Sequence, residues 1–146
     1  MTPLMRAFTR FLLSAIFLTA ALFHFLNARL FLPIMPPQIT YPIGCILLSG
    51  VAEFAGAIGL LIPLKRVQIL TGWGLTLLLI AVFPANIYMA AAHIKIHGFP
   101  SHEWMAWARL PLQPLFIIAV LWVTGIWSGN CKGKQNAINA HPDLNR

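Results

Sequence analysis

Four long apolar runs constrain this chain more than any other feature of its sequence. They cover residues 11–27, 43–63, 68–92 and 104–127. A helix needs about 20 apolar residues to cross a hydrocarbon core about 30 Å thick. Because lipid offers the backbone no hydrogen-bond partners, each run is predicted to be a helix, and the polar breaks are predicted to lie at the membrane surfaces. The sequence therefore predicts an all-α, polytopic membrane protein built as a four-transmembrane-helix bundle.

The composition also favours a membrane protein over a soluble one. Hydrophobic residues make up 59% of the chain and charged residues 9%, whereas soluble domains are about half apolar and about a quarter charged. The chain has room for one domain, residues 1–128, followed by a polar tail, residues 129–146, that is predicted to be disordered. The net charge of +7 comes from basic residues at the edges of the apolar runs. That arrangement argues against nucleic-acid binding.

The distribution of Lys and Arg predicts that both termini are cytoplasmic. Seven basic residues fall on one side of the predicted spans and three on the other, and the richer side is assigned to the cytoplasm. An uncleaved first run is expected, since removing it as a signal peptide would break this pattern. The richer side carries Arg6, Arg10, Lys65, Arg66, Lys132, Lys134 and Arg146, and the other carries Arg29, Lys95 and Arg109.

Helical periodicity places polar side chains on one face of each predicted helix. Glu53 lies beside a small-residue face of the second helix, near the bilayer midplane. The small-residue face comprises Ala52, Ala55, Gly56 and Gly59, and the side predicted to face lipid comprises Leu47, Val51, Phe54 and Ile58. Polar residues of the other three helices lie toward the outer side of the membrane. If these faces converge, they form a polar pocket in the outer half of the bundle. The ligand-binding candidates are His24, Glu53, Asn86, Arg109 and Gln113.

Prolines inside two of the runs strengthen the pocket hypothesis. Pro111 and Pro114 in the fourth run, and Pro84 in the third, each remove a backbone donor from a helix. The carbonyls that lose their partners persist at membrane depth only where protein or a water-filled cavity satisfies them. Two of these breaks flank the predicted pocket residues.

Glu53 is the strongest single candidate, because a carboxyl group at the centre of a span costs roughly 2.5–3.5 kcal/mol on insertion scales. Burial favours its protonated form unless a cation compensates, and Arg109 is the nearest candidate cation. Arg109 also fits an interfacial arginine whose side chain reaches toward water. The alternative for Glu53 is a packing role, hydrogen-bonded to Ser49, Asn86 or Gln113. Asn86 and Gln113 could themselves bind a ligand or only join helices.

The histidines and cysteines offer weaker candidates for metal or redox chemistry. His93 and His97 are four residues apart and could share a metal if the third helix continued that far. Pro100 favours a loop there, so no metal site is assigned. Cys45 and Cys131 fall on opposite sides of the predicted bilayer and cannot pair with each other. Cys45 is expected to be a buried apolar residue.

Four segments spread over three of the predicted helices form a distinctive set: residues 49–53 (SGVAE), 59–63 (GLLIP), 83–90 (FPANIYMA) and 109–115 (RLPLQPL). His24-Phe25, followed by a proline-rich loop, belongs with them. Together these residues resemble the DoxX family of small bacterial integral membrane proteins. The resemblance covers roughly residues 12–128 and implies a four-helix bundle in the bacterial cytoplasmic membrane.

Three functions remain open at this point. The pocket and the resemblance favour a non-catalytic membrane subunit that binds a small ligand or a partner. The resemblance also implies an alternative, a subunit of a quinone-linked oxidoreductase of the thiosulfate:quinone type, with quinone as cofactor and redox or stress-complex partners in the membrane. The third is a small-solute transporter, which four helices without an inverted repeat would achieve only as a homo-oligomer.

Overall fold

The computed structural model describes residues 3–93 and 103–127, and these residues form helices and turns without a strand. The predicted all-α fold is confirmed. A short 3-10 helix (Ala28–Ile34) follows the first long helix. The predicted tail, His97 and Cys131 lie outside the described residues. Within the described ranges the long helices are α1 (Pro3–Leu26), α2 (Pro42–Leu61), α3 (Lys65–Ala91) and α4 (Glu103–Val123).

All four long helices of the described residues are long and apolar enough to cross a membrane. Their outward surfaces are apolar, as a lipid environment requires. On α2 every residue predicted to face lipid is exposed, and so are large apolar side chains on the other long helices. The exposed α2 residues are Leu47, Val51, Phe54 and Ile58. The chain is a membrane protein by the length and composition of these helices.

Two elements differ from the apolar runs of the sequence. Helix α1 starts at Pro3, well before the run at residues 11–27, because Arg6 and Arg10 share one helical face and leave the other face apolar. The 3-10 helix occupies part of the proline-rich break, with Pro33 inside it. Its Ile34 is buried and packs with Met89 of α3. This segment therefore folds back onto the bundle.

The helices pack as a ring in chain order. Helix α1 contacts α2, α2 contacts α3, α3 contacts α4, and α4 closes on α1. One apolar cluster fills the centre, with contributions from every long helix. The fully or nearly buried members of this core are Leu13, Phe17, Ala57, Leu60, Leu75, Val120 and Val123.

Small residues of α2 let the neighbouring helices approach closely, as predicted. A side-chain carbon added at Gly56 would overlap Leu75 of α3, and one added at Gly59 would overlap Thr71. Ala55, also predicted on this small face, is exposed instead. On the opposite side Ser14 of α1 donates a hydrogen bond of 2.8 Å to the carbonyl of Ala57. The contacts of α2 with α1 and α3 therefore depend on glycine and on a buried hydroxyl.

We expect Gly56→Ala to destabilise the bundle by about 1–3 kcal/mol, because the added methyl group meets the fully buried Leu75. The matched control is Gly74→Ala on α3, where no neighbouring heavy atom lies within 4 Å. That change should stabilise the helix by about 0.5–1 kcal/mol. Thermal unfolding in detergent, followed by circular dichroism, measures both. Equal effects of the two changes would contradict the close packing of α2 on α3.

Candidate functional site

The five predicted site residues make their contacts in two groups. His24 of α1 lies beside Glu53 of α2. Asn86 of α3 is hydrogen-bonded to Gln113 of α4, and Arg109 contacts α3 at the sulfur of Met89. The residues of the predicted pocket therefore lie at two separate helix interfaces, that of α1 with α2 and that of α3 with α4.

His24 and Glu53 face each other across the interface of α1 and α2. The distance from His24 Nε2 to Glu53 Oε2 is 3.7 Å, which exceeds a normal hydrogen bond. Their side chains are 17% and 13% exposed, so both groups are largely shielded. The other ring nitrogen, Nδ1, lies 3.4 Å from Ser49 Oγ. A carboxyl group, an imidazole and a hydroxyl thus lie in a row inside the bundle.

The local sequence explains why these groups meet. Ser49 and Glu53 are four residues apart on α2, which places them on one helical face. Gly50 lies between them, and a side-chain carbon there would come within 2.9 Å of the His24 Cβ. Only glycine lets the last turns of α1 approach this closely. Phe31 of the 3-10 helix stacks on the imidazole, with ring centres 4.6 Å apart.

Glu53 Oε2 is buried and has no hydrogen-bond partner among the described residues. At least about 90% of buried polar groups in proteins are hydrogen-bonded, and leaving one unpaired costs about 1–3 kcal/mol. The unpaired oxygen can accept a hydrogen bond from a donor group that enters the site. No three His, Cys, Asp or Glu side chains in the described ranges are grouped to hold a metal.

The second group is a hydrogen-bonded helix contact. Asn86 Nδ2 donates to Gln113 Oε1 at 2.9 Å, and Gln113 Nε2 donates to the backbone carbonyl of Leu79. Gln113 is 5% exposed. The carbonyl that it contacts is one residue before that of Ile80, which Pro84 frees. These amides therefore bind each other and the backbone, which favours the helix-joining interpretation of Asn86 and Gln113.

Arg109 does not occupy the position expected of a partner for Glu53. Its side chain is exposed, and its Nη1 lies 3.9 Å from Met89 Sδ. The side chain beside Glu53 is His24, because α1 packs directly on α2 whereas α4 packs on α3 and α1. Arg109 therefore fits the interfacial interpretation better than the ion-pair interpretation.

The weaker metal and thiol candidates also have definite positions. Helix α3 ends at Ala91, and His93 has a left-handed backbone with φ of 51°. His93 therefore does not continue a helix toward His97, as the shared-metal hypothesis required. Cys45 is exposed rather than buried as expected, because its side of α2 faces away from the core.

Sequence reasoning missed Phe31, which covers the imidazole, and Ser14, which anchors α1 to α2. Phe31 lies in the proline-rich break, where no periodicity indicated a helix. The position of Ser14 did carry a signal. It is seven residues, close to two helical turns, before the fully buried Ala21 and so falls on the same buried face of α1.

The fold and the site define a four-helix membrane protein with a carboxyl–imidazole pair enclosed between two of its helices. The family model described as "Domain of unknown function (DUF8561)" matches residues 13–124. The chain belongs to this family. The matched residues include His24, Ser49 and Glu53. No curated protein and no solved structure matches the chain.

We expect Gln113→Leu to destabilise the bundle more than Asn86→Leu, because Gln113 takes part in two hydrogen bonds and Asn86 in one. Side-chain hydrogen bonds between membrane helices contribute about 0.6–2 kcal/mol each. Thermal unfolding of both single variants and the double variant in detergent gives the coupling energy. Strictly additive effects would contradict a direct bond between these side chains.

Glu53→Gln should leave the unfolding temperature unchanged or raise it, since the buried carboxyl oxygen makes no hydrogen bond that the change would remove. Ser14→Ala is the matched comparison at the same helix interface. It removes a formed hydrogen bond and should cost about 0.5–1.5 kcal/mol. A large loss of stability in Glu53→Gln would instead assign Glu53 a structural role.

Proposed function

We propose that the chain is a DoxX-like, non-catalytic subunit of the bacterial cytoplasmic membrane that binds a hydrogen-bond-donating ligand or partner segment at Glu53. One observation carries the proposal: Glu53 Oε2 is buried between α1 and α2 without a hydrogen-bond partner. A buried acceptor that the protein leaves unpaired reduces stability, and such features concentrate at sites that serve function rather than folding.

The other candidates leave Glu53 as the centre of the proposed site. Asn86 and Gln113 are bound to each other and to the backbone. Arg109 is exposed and in contact with Met89. His24 and Ser49 line the Glu53 site. The ring nitrogens of His24 and the hydroxyl of Ser49 offer further hydrogen bonds to a molecule that donates a hydrogen bond to Glu53.

The spacing of Ser49, His24 and Glu53 favours binding over nucleophilic catalysis. A hydroxyl, an imidazole and a carboxyl in a row have the order of a catalytic triad. Here, however, the Ser49 hydroxyl donates to the carbonyl of Ile46 at 2.9 Å. Its proton is directed into the α2 backbone and not to the imidazole, which lies at 3.4 Å. Ser49 is therefore not activated as a nucleophile in this geometry.

The proposed location and orientation depend on the sequence. The positive-inside pattern supports cytoplasmic termini, and the resemblance to the DoxX family supports the bacterial inner membrane. The DUF8561 match covers α2, α3, α4 and residues 13–26 of α1, and it adds no activity to this picture.

The test compares what co-purifies with three forms of the full chain in mild detergent. These are the wild type, Glu53→Gln, and Thr19→Ala, a control on α1 whose exposed hydroxyl bonds only within its own helix. Visible spectra, metal analysis and mass spectrometry of extracted lipids detect small molecules, and cross-linking before extraction detects partner proteins.

The proposal predicts a stoichiometric small molecule or partner protein in the wild type and in Thr19→Ala that is lost from Glu53→Gln. A quinone with this behaviour would identify the alternative, a quinone-linked oxidoreductase subunit. Identical contents in all three preparations, with equal stability, would overturn binding at Glu53.

A further inference from the structure

Cationic side chains from two helices converge where α4 ends. Lys65, the first residue of α3, donates a hydrogen bond of 3.1 Å from Nζ to the carbonyl of Thr124, just past α4. The guanidinium of Arg6, near the start of α1, lies over the ring of Trp122, 5.8 Å from its centre. Helix α4 packs between α1 and α3, and this brings the two cations to the same end of the bundle.

Gly125 shows how close these cations are. Its φ of +76° lets the chain turn sharply after α4, as glycine commonly does at a helix end. A side-chain carbon there would lie 2.5 Å from Lys65 Nζ and 4.0 Å from Arg6 Nη1. The two cationic atoms are therefore no more than about 6.5 Å apart, the sum of these distances. A side chain at position 125 would therefore collide with the Lys65 ammonium group.

Arg10 adds a third cation to this end. It follows Arg6 by four residues on α1, which places the two on one helical face. Its Nε is buried and has no hydrogen-bond partner among the described residues. A buried, unpaired guanidinium nitrogen is a donor available to an anion. We refer to Arg6, Arg10 and Lys65 as the basic cluster.

The chain supplies no carboxylate at this end within the described residues. Its three acidic residues are Glu53, Glu103 and Asp143. Glu53 faces His24 inside the bundle, Glu103 begins α4 at the opposite end, and Asp143 lies outside the described ranges. Among the described residues, the negative charge known to lie at this end is that of the α4 terminus, whose carbonyls carry about half a negative charge.

We propose that the basic cluster binds a phosphate group, supplied by the headgroup of an anionic phospholipid. Arginine matches phosphate oxygens with two parallel donors, and lysine adds a point charge. Basic sites between the ends of membrane helices bind anionic headgroups, mainly on the cytoplasmic side. The distribution of Lys and Arg along the sequence predicts that Arg6, Arg10 and Lys65 lie on the cytoplasmic side. Free phosphate has the same chemistry and is the alternative source.

The experiment titrates the full chain in mild detergent with phosphatidylglycerol and with phosphatidylcholine, followed by native mass spectrometry. The variants are Arg6→Gln/Arg10→Gln and Lys65→Gln. The matched control is Arg29→Gln/Arg66→Gln, which removes two positive charges from exposed residues outside the cluster. Inorganic phosphate is then added as a competitor to the wild type.

We expect the wild type to prefer phosphatidylglycerol, and the double cluster variant to lose about tenfold or more in affinity, while the control changes less than about twofold. Competition by millimolar phosphate would assign the site to free phosphate rather than to lipid. Equal binding of both lipids, or equal losses in cluster and control variants, would overturn the proposal.

Folding of the variants is checked by thermal unfolding in the same detergent. If the double variant unfolds, Arg10→Gln alone gives the decisive comparison, because it removes the buried, unpaired donor and leaves the contact of Arg6 with Trp122. An unchanged lipid preference in a folded Arg10→Gln protein would remove Arg10 from the site. If Lys65→Gln also kept an unchanged preference for phosphatidylglycerol, the proposal that the basic cluster binds the headgroup would be overturned.

Discussion

The hydrocarbon interior of a membrane offers no hydrogen bonds, so each polar side chain inside the bundle depends on a partner from the protein. The structure meets this constraint at most helix contacts. Ser14 reaches the backbone of Ala57, Gln68 reaches the carbonyl of Ile62, and Asn86 pairs with Gln113. The first bond joins α1 to α2, the second joins the start of α3 to the end of α2, and the third joins α3 to α4. The polar groups thus follow the same ring of neighbours as the apolar core.

Glu53 departs from this pattern in a particular way. Gly50 allows α1 and α2 to pack so closely that His24 comes near the carboxyl group, yet the separation of 3.7 Å is too long for a hydrogen bond. The imidazole is held on its other sides by Phe31 and Ser49. Because the ring is fixed by these contacts, its distance from Glu53 is a property of the packing. The separation of His24 and Glu53 is therefore a fixed feature of the site, and a donor from outside the chain can form a hydrogen bond with the Glu53 carboxyl group.

The sequence predicts much of the fold and less of the site, for a physical reason. Apolar length and helical periodicity predicted the four helices and the lipid-facing side of α2. Periodicity fixes the face on which a residue lies, but not which helix that face meets. Arg109 was therefore the candidate cation for Glu53, whereas the ionisable side chain that lies beside Glu53 is His24. The stacking of Phe31 on the His24 imidazole was not predicted either. Phe31 lies in a short 3-10 helix that contains Pro33, and such a segment shows no periodic pattern of apolar and polar residues.

Helix α1 carries parts of both proposed sites at its two ends. Arg10 and His24 are 14 residues apart, about 21 Å along a helix, so no small ligand touches both. A lipid on the basic cluster would nevertheless hold the start of α1 against the end of α4. The lipid would affect the Glu53 site only if α1 had two alternative placements and the lipid bound one of them more tightly than the other. A ligand shifts a conformational equilibrium by no more than the difference in its affinity for the two states. The Ser14 hydrogen bond to Ala57 lies between the two sites and restricts such movement of α1. The sites are therefore expected to bind independently while that bond is intact.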